Sequence, residues 1–319
     1  MTAFIIRRIS QGIIVITLVT LLIFFGMRAL PGDPLVMYLA QNQNVENMTP
    51  ERLQDLRHQF GLDKPVIVQY VNWVGDLFQG KMGTSIFYHE DVGNLLVKRI
   101  PVTMYLGLLA ILVTIFIGAP LGIIAAIKRG TKIDTLVTFL SNVGVTIPVF
   151  WLGILMIYIF GLKLNLLPIA GYTSPFEDFT MSIKQIIMPV ICECIFGVAS
   201  IARQIRSCML EVIRQDYIRT AWAKGLRENV IITRHALKNS LIPVVTMLGI
   251  QVSMIFGGSV LVETVFAIPG IGRLLATSIF GHDYVVVQGV TLVIAFVVLA
   301  SNLIVDISYG WLDPRIRYQ

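Results

Sequence analysis

Residues 103–127 read TMYLGLLAILVTIFIGAPLGIIAAI, a run of apolar and small residues without one charged side chain. A helix needs about 20 such residues to cross the hydrocarbon core of a bilayer. The proline inside the run is compatible with a membrane helix, because neighbouring helices can satisfy the backbone groups that proline frees. This stretch therefore predicts a membrane-spanning helix, and it sets the expected fold class as an all-α membrane protein.

Five further apolar runs of similar length lie on both sides of this stretch. The six predicted spans are roughly 9–30, 103–127, 136–160, 186–205, 241–266 and 285–309. Hydrophobic residues make up 55% of the 319 and charged residues only 14%, against about 25% charged in an ordinary globular chain. The composition excludes disorder and disfavours a soluble enzyme. Small residues recur in the spans and suit close helix contact, so we expect a bundle.

Positive charge is concentrated in the segments that would share one side of the membrane with the amino terminus. Short cytoplasmic segments are rich in Lys and Arg, so both termini are predicted to be cytoplasmic. The side chains concerned are Arg7, Arg8, Lys128, Arg129, Lys132, Arg203, Arg206, Arg214, Arg219, Lys224, Arg227, Arg234, Lys238, Arg315 and Arg317. Membrane topology thus accounts for the net charge of +6, and nucleic acid is not expected as a partner.

The spans divide the chain into four parts. They are a cytoplasmic N-terminus with the first span (1–30), an external helical loop (31–102), a five-helix core with a cytoplasmic segment at 207–240 (103–309) and a cytoplasmic tail (310–319). Within the loop, Thr49-Pro50-Glu51 resembles a helix start, and a second short helix is predicted from Pro65 to Phe78. We expect these helices to form a small external insertion between the first two spans.

The most informative stretch is cytoplasmic and reads DYIRTAWAKGL, residues 216–226. Asp216 can cap a helix and Gly225 can end it, while Ile218, Ala221 and Trp222 fall with Gly225 on one face. An isolated helix of about eight residues is marginal in water, so this one needs a docking surface. Two surfaces are open at this point: lipid headgroups, with Trp222 at the interface, or a partner protein.

Motifs spread over nearly the whole chain carry a family resemblance. They are Leu30-Pro31-Gly32-Asp33-Pro34, Gly61-Leu62-Asp63-Lys64-Pro65, Ile147-Pro148-Val149-Phe150-Trp151-Leu152, Arg219-Thr220-Ala221 with Lys224-Gly225-Leu226, Arg234-His235-Ala236-Leu237-Lys238-Asn239, Ile268-Pro269-Gly270-Ile271-Gly272-Arg273, Asn302-Leu303-Ile304-Val305-Asp306 and Leu312-Asp313-Pro314-Arg315-Ile316-Arg317. With these motifs the chain resembles the inner-membrane permease subunits of binding-protein-dependent ABC importers, in the dipeptide, oligopeptide and nickel branch.

The resemblance implies a six-helix bundle of the type I importer class in the cytoplasmic membrane of a prokaryote. It implies as partners a second homologous permease, two ATPase subunits and an external substrate-binding protein. ATP and Mg would be used by the ATPases, whereas this chain would bind no cofactor and catalyse no reaction. The sequence agrees on one point, since it contains no G-x-x-x-x-G-K-[ST] phosphate loop. Di- or oligopeptides are the leading substrates, with nickel or a metal chelate, haem and glutathione-like peptides as alternatives.

The resemblance also implies that the cytoplasmic helix docks into a groove on an ATPase subunit. The docking residues would be Tyr217, Ile218, Arg219, Thr220, Ala221, Trp222, Lys224, Gly225 and Leu226. Of these, Ile218, Ala221 and Trp222 are expected to make apolar contacts, and Gly225 to permit close approach. Arg219 and Lys224 are expected to pair with acidic groups on the ATPase.

Two further candidate sites, at Glu193 and in the loop before residue 273, each have a plainer interpretation. Glu193 lies inside the fourth span, where charge is costly and ionisable residues are functional candidates. It could line the pathway and meet a substrate amine or a metal, or it could be a protonated side chain bonded to a neighbouring helix or partly hydrated near the external end. The resemblance suggests an external gate at Pro269, Gly270 and Gly272, for which a simple interfacial loop is the alternative.

No metal site is expected from the sequence. Cys192 and Cys194 would point about 200° apart on one helix, and the four histidines are scattered along the chain. A self-sufficient secondary transporter is the alternative from a different class, but it predicts charged residues near the midplane of broken helices, for which only Glu193 is a candidate. An intramembrane enzyme would need a catalytic pair inside the spans, and the sequence offers none.

Overall fold

The computed structural model describes residues 2–29, 54, 58, 63–85, 87–237 and 242–312. The helices in these ranges are α1 (Thr2–Ala29), α2 (Val66–Phe78), α3 (Val92–Val113), α4 (Ala119–Ile127), α5 (Lys132–Thr146), α6 (Val149–Met156), α7 (Phe179–Ile213), α8 (Asp216–Ala223), α9 (Glu228–Val230), α10 (Ile242–Val265), α11 (Ile271–Phe280) and α12 (Tyr284–Leu312). Four helices in this part of the chain are long and apolar enough to span a membrane, or up to six if each of two bent pairs counts as one span. The predicted all-α membrane fold is confirmed.

The external insertion is described only in part. Helix α2 begins after Pro65, as predicted, and ends at Phe78. The predicted helix start at Thr49-Pro50-Glu51 lies outside the described residues, as does the tail from Asp313 onward. Helix α12 runs unbroken to Leu312, beyond the boundary predicted at 309.

The second and fourth spans are longer than their apolar cores suggested. Helix α3, a π-helical turn at Thr114–Gly118 and α4 form one apolar helix from Val92 to Ile127, so this span begins well before the predicted residue 103. Helix α7 starts at Phe179 because the Asp178 carboxylate accepts a hydrogen bond from Met181 N at 2.9 Å. Such side-chain caps satisfy the free N–H groups of a first turn.

The third span departs most from its prediction. It consists of α5 and of α6 with a π-helical extension at Ile157–Lys163, and the two parts are bent by 102°. Ile147 and Pro148 are extended at the break, with ψ of 126° and 125°. Proline disfavours the α conformation in the residue before it, which accounts for the break. The predicted span over 136–160 is therefore a bent pair of helices and not one straight helix.

Helix α7 is the centre of the bundle, and glycines let other spans approach its backbone closely. A Cβ atom on Gly122 would collide with the Ala202 carbonyl oxygen and with Ile205. On α7 itself, a Cβ atom on Gly197 would collide with Gln251 of α10. Small residues at helix contacts are the usual means of close packing in membranes, and at Gly122 the backbone of α7 leaves no space for a side chain.

Two buried clusters mark the two ends of the bundle. At one end, helix α8 contributes to a cluster formed by Ala126, Ile201, Ile205, Met209, Ile218, Ala221, Ile231 and Val244. At the other end, helix α11 contributes to a cluster formed by Val92, Leu95, Leu96, Phe256, Ile271, Leu274, Val286 and Val290. We call the end that carries α8 the basic end and the end that carries α11 the opposite end. A short helix thus packs against each end of the bundle.

Candidate functional site

Helix α8 has the predicted position but a different start. Its N-cap is Gln215, with φ −71° and ψ 149°, and no side chain caps it. Asp216, predicted as the cap, is instead the first helical residue, where its negative charge still favours the helix N-terminus.

The predicted stop at Gly225 has a clear geometric cause. Gly225 adopts φ +75°, a left-handed conformation that costs glycine little. Gly225 N donates to Trp222 O at 2.9 Å, and Leu226 N donates to Ala221 O at 3.4 Å. These two bonds form the Schellman motif that commonly ends a helix.

One face of α8 is buried in the chain's own bundle. Ile218 is 0% exposed and Ala221 is 7% exposed, and both belong to the cluster that contains Ile205 and Met209 of α7 and Val244 of α10. These two residues therefore hold α8 on the bundle. This corrects their assignment to direct contact with a partner, because their side chains do not reach the surface.

The remaining predicted docking residues lie on the exposed side. Tyr217, Trp222 and Leu226 are 45%, 44% and 40% exposed, which leaves aromatic and aliphatic surface in contact with the surroundings. The other exposed members of the set are Arg219, Thr220, Lys224 and Gly225. The exposed surface is thus both apolar and basic, and Arg219 Nη1 lies only 3.6 Å from Asp216 Oδ1 in an exposed pair.

An open pocket adjoins the start of α8. It has a volume of about 440 Å³ and is lined by Ser207, Leu210, Glu211, Arg214 and Gln215. It joins the last turns of α7 to the N-cap of α8, so it extends the exposed surface of α8 toward the core helix.

A bidentate ion pair ties the basic end together. Arg206 Nε donates to Asp134 Oδ1 at 2.6 Å, and Arg206 Nη2 donates to Asp134 Oδ2 at 2.9 Å. Gly130 N also donates to Asp134 Oδ2, at 3.0 Å. Two parallel bonds between arginine and a carboxylate fix direction as well as distance. The pair holds the start of α5 against α7, close to the elements that carry α8.

Glu193 lies inside the bundle. It is 8% exposed, and both carboxylate oxygens are buried without a hydrogen-bond partner among the described residues. No neighbouring helix among the described residues bonds to the Glu193 carboxylate. Pathway lining by Glu193 stays a prediction.

Two of the three predicted gate residues, Gly270 and Gly272, lie against a second buried carboxylate, that of Glu263. Gly270 and Gly272 are buried, and a Cβ atom on Gly270 would overlap the Glu263 side chain. Thr103 Oγ1 donates to Glu263 Oε1 at 2.6 Å, and Arg273 N donates to Glu263 Oε2 at 2.8 Å. Glu263 lies on α10. It thus links α10 and α3 to the turn at residues 269–273, which we call the gate turn.

A third buried carboxylate orders the segment before α3. Asp283 is 0% exposed and accepts hydrogen bonds from Ser85 Oγ at 2.6 Å and from Phe87 N at 3.1 Å. It precedes α12, whose Val286 N donates to it at 3.3 Å. Asp283 therefore fixes the segment before α3 to the start of the last span.

Sequence reasoning missed Glu263, Thr103 and Asp283. The signal for Glu263 was present, since it is an ionisable residue within the predicted span 241–266, the same criterion that singled out Glu193. Thr103 and Asp283 had no comparable signal, because their importance lies in partners that are far away in the sequence. Across the described part of the chain, no three His, Cys, Asp or Glu side chains are grouped to hold a metal ion.

Comparisons with known proteins agree over the full length of the chain. Residues 118–318 match the family described as binding-protein-dependent transport system inner membrane component, and residues 1–107 match the family of its N-terminal region. A putative peptide transport system permease protein of Brucella abortus is 40% identical over 319 residues, covering 100% of both chains. The oligopeptide transport system permease protein AppB of Bacillus subtilis is 38% identical, also over 100% of both chains.

Solved structures give the same picture of the fold. An inward-facing structure of the MetNI methionine ABC transporter matches with a TM-score of 0.57 at 19% identity. The match covers 69% of this chain and 96% of that chain. At 19% identity this similarity shows only the fold of the matched residues. The relatives that match over the whole chain show the family.

Proposed function

This chain belongs to the family of inner-membrane components of binding-protein-dependent transport systems, and on that premise we propose that it forms half of a translocation pathway for peptides. A second homologous permease would form the other half, and an external binding protein would deliver the peptide. The names of full-length relatives, which are peptide, oligopeptide and di/tripeptide permeases, support di- or oligopeptides over nickel, metal chelates, haem and glutathione.

Two ATPase subunits would supply the energy, with ATP and Mg bound there and no cofactor in this chain. The observation that carries this coupling is the two-sided character of α8. Its exposed side offers Tyr217, Trp222 and Leu226 for apolar contact, and Arg219 and Lys224 for pairing with acidic groups of the ATPase. The space beside Gly225 is open, which permits close approach of the partner.

The buried side of α8 would transmit the force. Ile218 and Ala221 pack in one cluster with Ile205 of α7 and Val244 of α10. Because interiors are close-packed and compress little, a displacement of α8 by closing ATPases would be passed to these spans. The spans would then rock between inward-facing and outward-facing arrangements.

The proposed topology places the basic end and both termini in the cytoplasm, in the inner membrane of a prokaryote. The positive side chains of the basic end support this orientation. The opposite end would then face outward, with Pro269, Gly270 and Gly272 at the external gate.

The test is copurification followed by reconstitution. We expect the tagged chain, solubilised in mild detergent from its natural host, to retain a second permease and ATPase subunits that hydrolyse ATP. In proteoliposomes with the binding protein, we expect ATP-dependent uptake of radiolabelled dialanine or trialanine, and none of nickel chloride. Isolation of the chain alone, with proton- or sodium-driven uptake and no ATPase activity, would refute the proposal and favour a secondary transporter.

A variant pair locates the ATPase contact. Trp222→Ala should reduce retention of the ATPase by about tenfold, since a buried aromatic anchor contributes on the order of 1–2 kcal/mol or more at an interface. Leu18→Ala is a matched control, because Leu18 is also exposed, at 53%, but lies on α1 in a predicted span. Equal ATPase retention by both variants would contradict docking through α8.

A further inference from the structure

The gate turn is held by a buried polar contact that spans three helices. We propose that Glu263 and Thr103 are positioning residues that fix the start of α11 to α3 and α10, so that the external gate moves with these spans as one body. We call this contact the Glu263 latch. The inference rests on the proposed function, since it concerns how a gate follows the rocking of the bundle.

The hydrogen bonds of the latch form a closed chain. Thr103 Oγ1 donates to Glu263 Oε1 at 2.6 Å and accepts from Ile271 N at 2.9 Å. Arg273 N donates to Glu263 Oε2 at 2.8 Å. Glu263 is 0% exposed and Thr103 is 1% exposed, so water does not compete for these bonds. Each carboxylate oxygen thus has a donor, and the hydroxyl both donates and accepts.

The latch supplies a cap that α11 lacks. The first N–H groups of a helix have no partner within the helix, and the N-cap residue of α11 is Gly270, which has no side chain to accept them. Glu263 and Thr103 provide the missing acceptors from α10 and α3. A helix N-terminus also favours negative charge, which suits a carboxylate in this position.

Close packing against α10 explains both glycines of the gate turn. Gly270 has φ −96° and ψ −175°, an extended conformation open to any residue, so backbone freedom is not the reason for glycine there. A Cβ atom on Gly270 would overlap the Glu263 carboxylate, and one on Gly272 would lie 2.7 Å from the Val260 backbone. The gate turn is therefore packed onto α10 and is not a free hinge.

The far end of α11 is fixed as well. Asp283 N donates to Ser278 O at 2.8 Å, and the Tyr88 and Thr277 hydroxyls are 3.1 Å apart. Arg273 Nη1 donates to Ala267 O at 2.7 Å and closes the turn before the helix. Since both ends of α11 are bonded to other elements, opening of the gate would require movement of the spans to which the latch connects it.

The test compares two variants of one residue in the full complex. Thr103→Val keeps the shape of the side chain but leaves Ile271 N without an acceptor, whereas Thr103→Ser keeps the hydroxyl. Loss of a buried partner should favour local opening of the gate turn by about tenfold. We expect Thr103→Val to lower trialanine uptake per ATP hydrolysed by about tenfold and to speed amide hydrogen exchange at 270–273 by a similar factor. Thr103→Ser should resemble the wild type in both.

A second variant, Glu263→Gln, alters the acceptor side of the same contact. Glu263→Gln retains an acceptor for Arg273 N but presents an amide to Thr103, so we expect a smaller loss of coupling than in Thr103→Val. Normal coupling and exchange in Thr103→Val would overturn the latch while leaving the importer function intact. Failure of Thr103→Val and Glu263→Gln to accumulate in the membrane would also overturn it, because the contact would then serve folding. Absence of ATP-driven uptake in the wild type would refute the proposed function itself.

Discussion

Helices α8 and α11 are both short, and each packs against one end of the same bundle, yet they are held in different ways. Helix α8 has no side-chain cap and is anchored by the apolar side chains of Ile218 and Ala221. Helix α11 is capped by Glu263 and Thr103, which lie on other helices. Apolar contacts are non-directional, whereas hydrogen bonds to a buried carboxylate fix distance and angle.

This contrast indicates which end of the bundle offers groups for binding a partner. The exposed side of α8 keeps aromatic and basic side chains at the surface, which suits a partner that must bind there. The polar groups at the start of α11 are already paired within the chain, so this helix is committed to its own spans. We therefore expect substitutions at the basic end to separate anchoring from docking, and substitutions at the opposite end to alter coupling. The following experiments test this contrast, from the largest expected change in free energy to the smallest.

Removing the main anchor of α8 should have the largest effect. Ile218→Ala should destabilise the packing of α8 against the bundle by about 2–5 kcal/mol, the usual cost of such a truncation in a packed core. The measurement is amide hydrogen exchange over 216–226 in the purified complex, which should become much faster. Ile13→Ala makes the same truncation at an isoleucine of α1 that is 61% exposed, so it is the matched control and should leave exchange over 216–226 unchanged. Equal exchange in the two variants would show that α8 is not anchored by its buried face.

Breaking the ion pair at the basic end should have an intermediate effect. Asp134→Ala removes the acceptor for two Arg206 donors and for Gly130 N, and hydrogen bonds to charged groups are worth about 1.5–3 kcal/mol. We expect a lower midpoint of thermal unfolding in detergent. Asp134→Asn, which keeps an acceptor for Gly130 N, should lose less. An unchanged midpoint in Asp134→Ala would show that the ion pair does not stabilise the basic end.

Substitutions at Gly225 separate backbone strain from blocked docking. Gly225→Ala should cost about 1 kcal/mol of helix-end stability because its φ of +75° is unfavourable for alanine. Asparagine tolerates this conformation, so Gly225→Asn should accumulate and transport almost normally. Gly225→Arg should also insert but abolish peptide uptake, since its large side chain would occupy the open space beside the turn. Normal uptake by Gly225→Arg would count against docking at this site.

The smallest change in stability is expected at Arg219. Its pair with Asp216 is exposed and 3.6 Å long, and such pairs within a helix contribute about 0.3–0.5 kcal/mol. Arg219→Ala should leave thermal unfolding almost unchanged but weaken ATPase binding, most clearly at low salt. A large drop in the unfolding midpoint, with normal ATPase binding, would reverse the assignment of Arg219 from docking to structure.

The spans could be predicted from the sequence because their apolar runs are long and the bilayer sets the length required. The break at Ile147 and Pro148 could not be predicted from the sequence, because proline is tolerated in many membrane helices. Only the packing of α5 and α6 decides whether the chain turns there. The early start of α3 at Val92 was hidden because Lys98 and Arg99 interrupt the apolar pattern, although the helix passes through them.

Helix α8, the predicted docking helix, could likewise be predicted only in part. Its position and its end at Gly225 followed from spacing and from the properties of glycine. The apolar stripe of Ile218 and Ala221 predicted burial, but periodicity cannot tell whether the covering surface belongs to a partner or to the same chain. Glu263 remained unnoticed because its two partners, Thr103 and Arg273, are brought to it only by the fold.

The sharp bend between α5 and α6 has a consequence for biosynthesis. Helix α5 has 15 residues, which extend about 22 Å, so it falls short of the roughly 30 Å hydrocarbon core on its own. It is stabilised where Gly144 lies against Ile195 and Ala199 of α7. A nascent chain that has not yet reached α7 lacks this support, so we expect its third crossing to remain accessible to water-soluble reagents until the ribosome has completed the central helix.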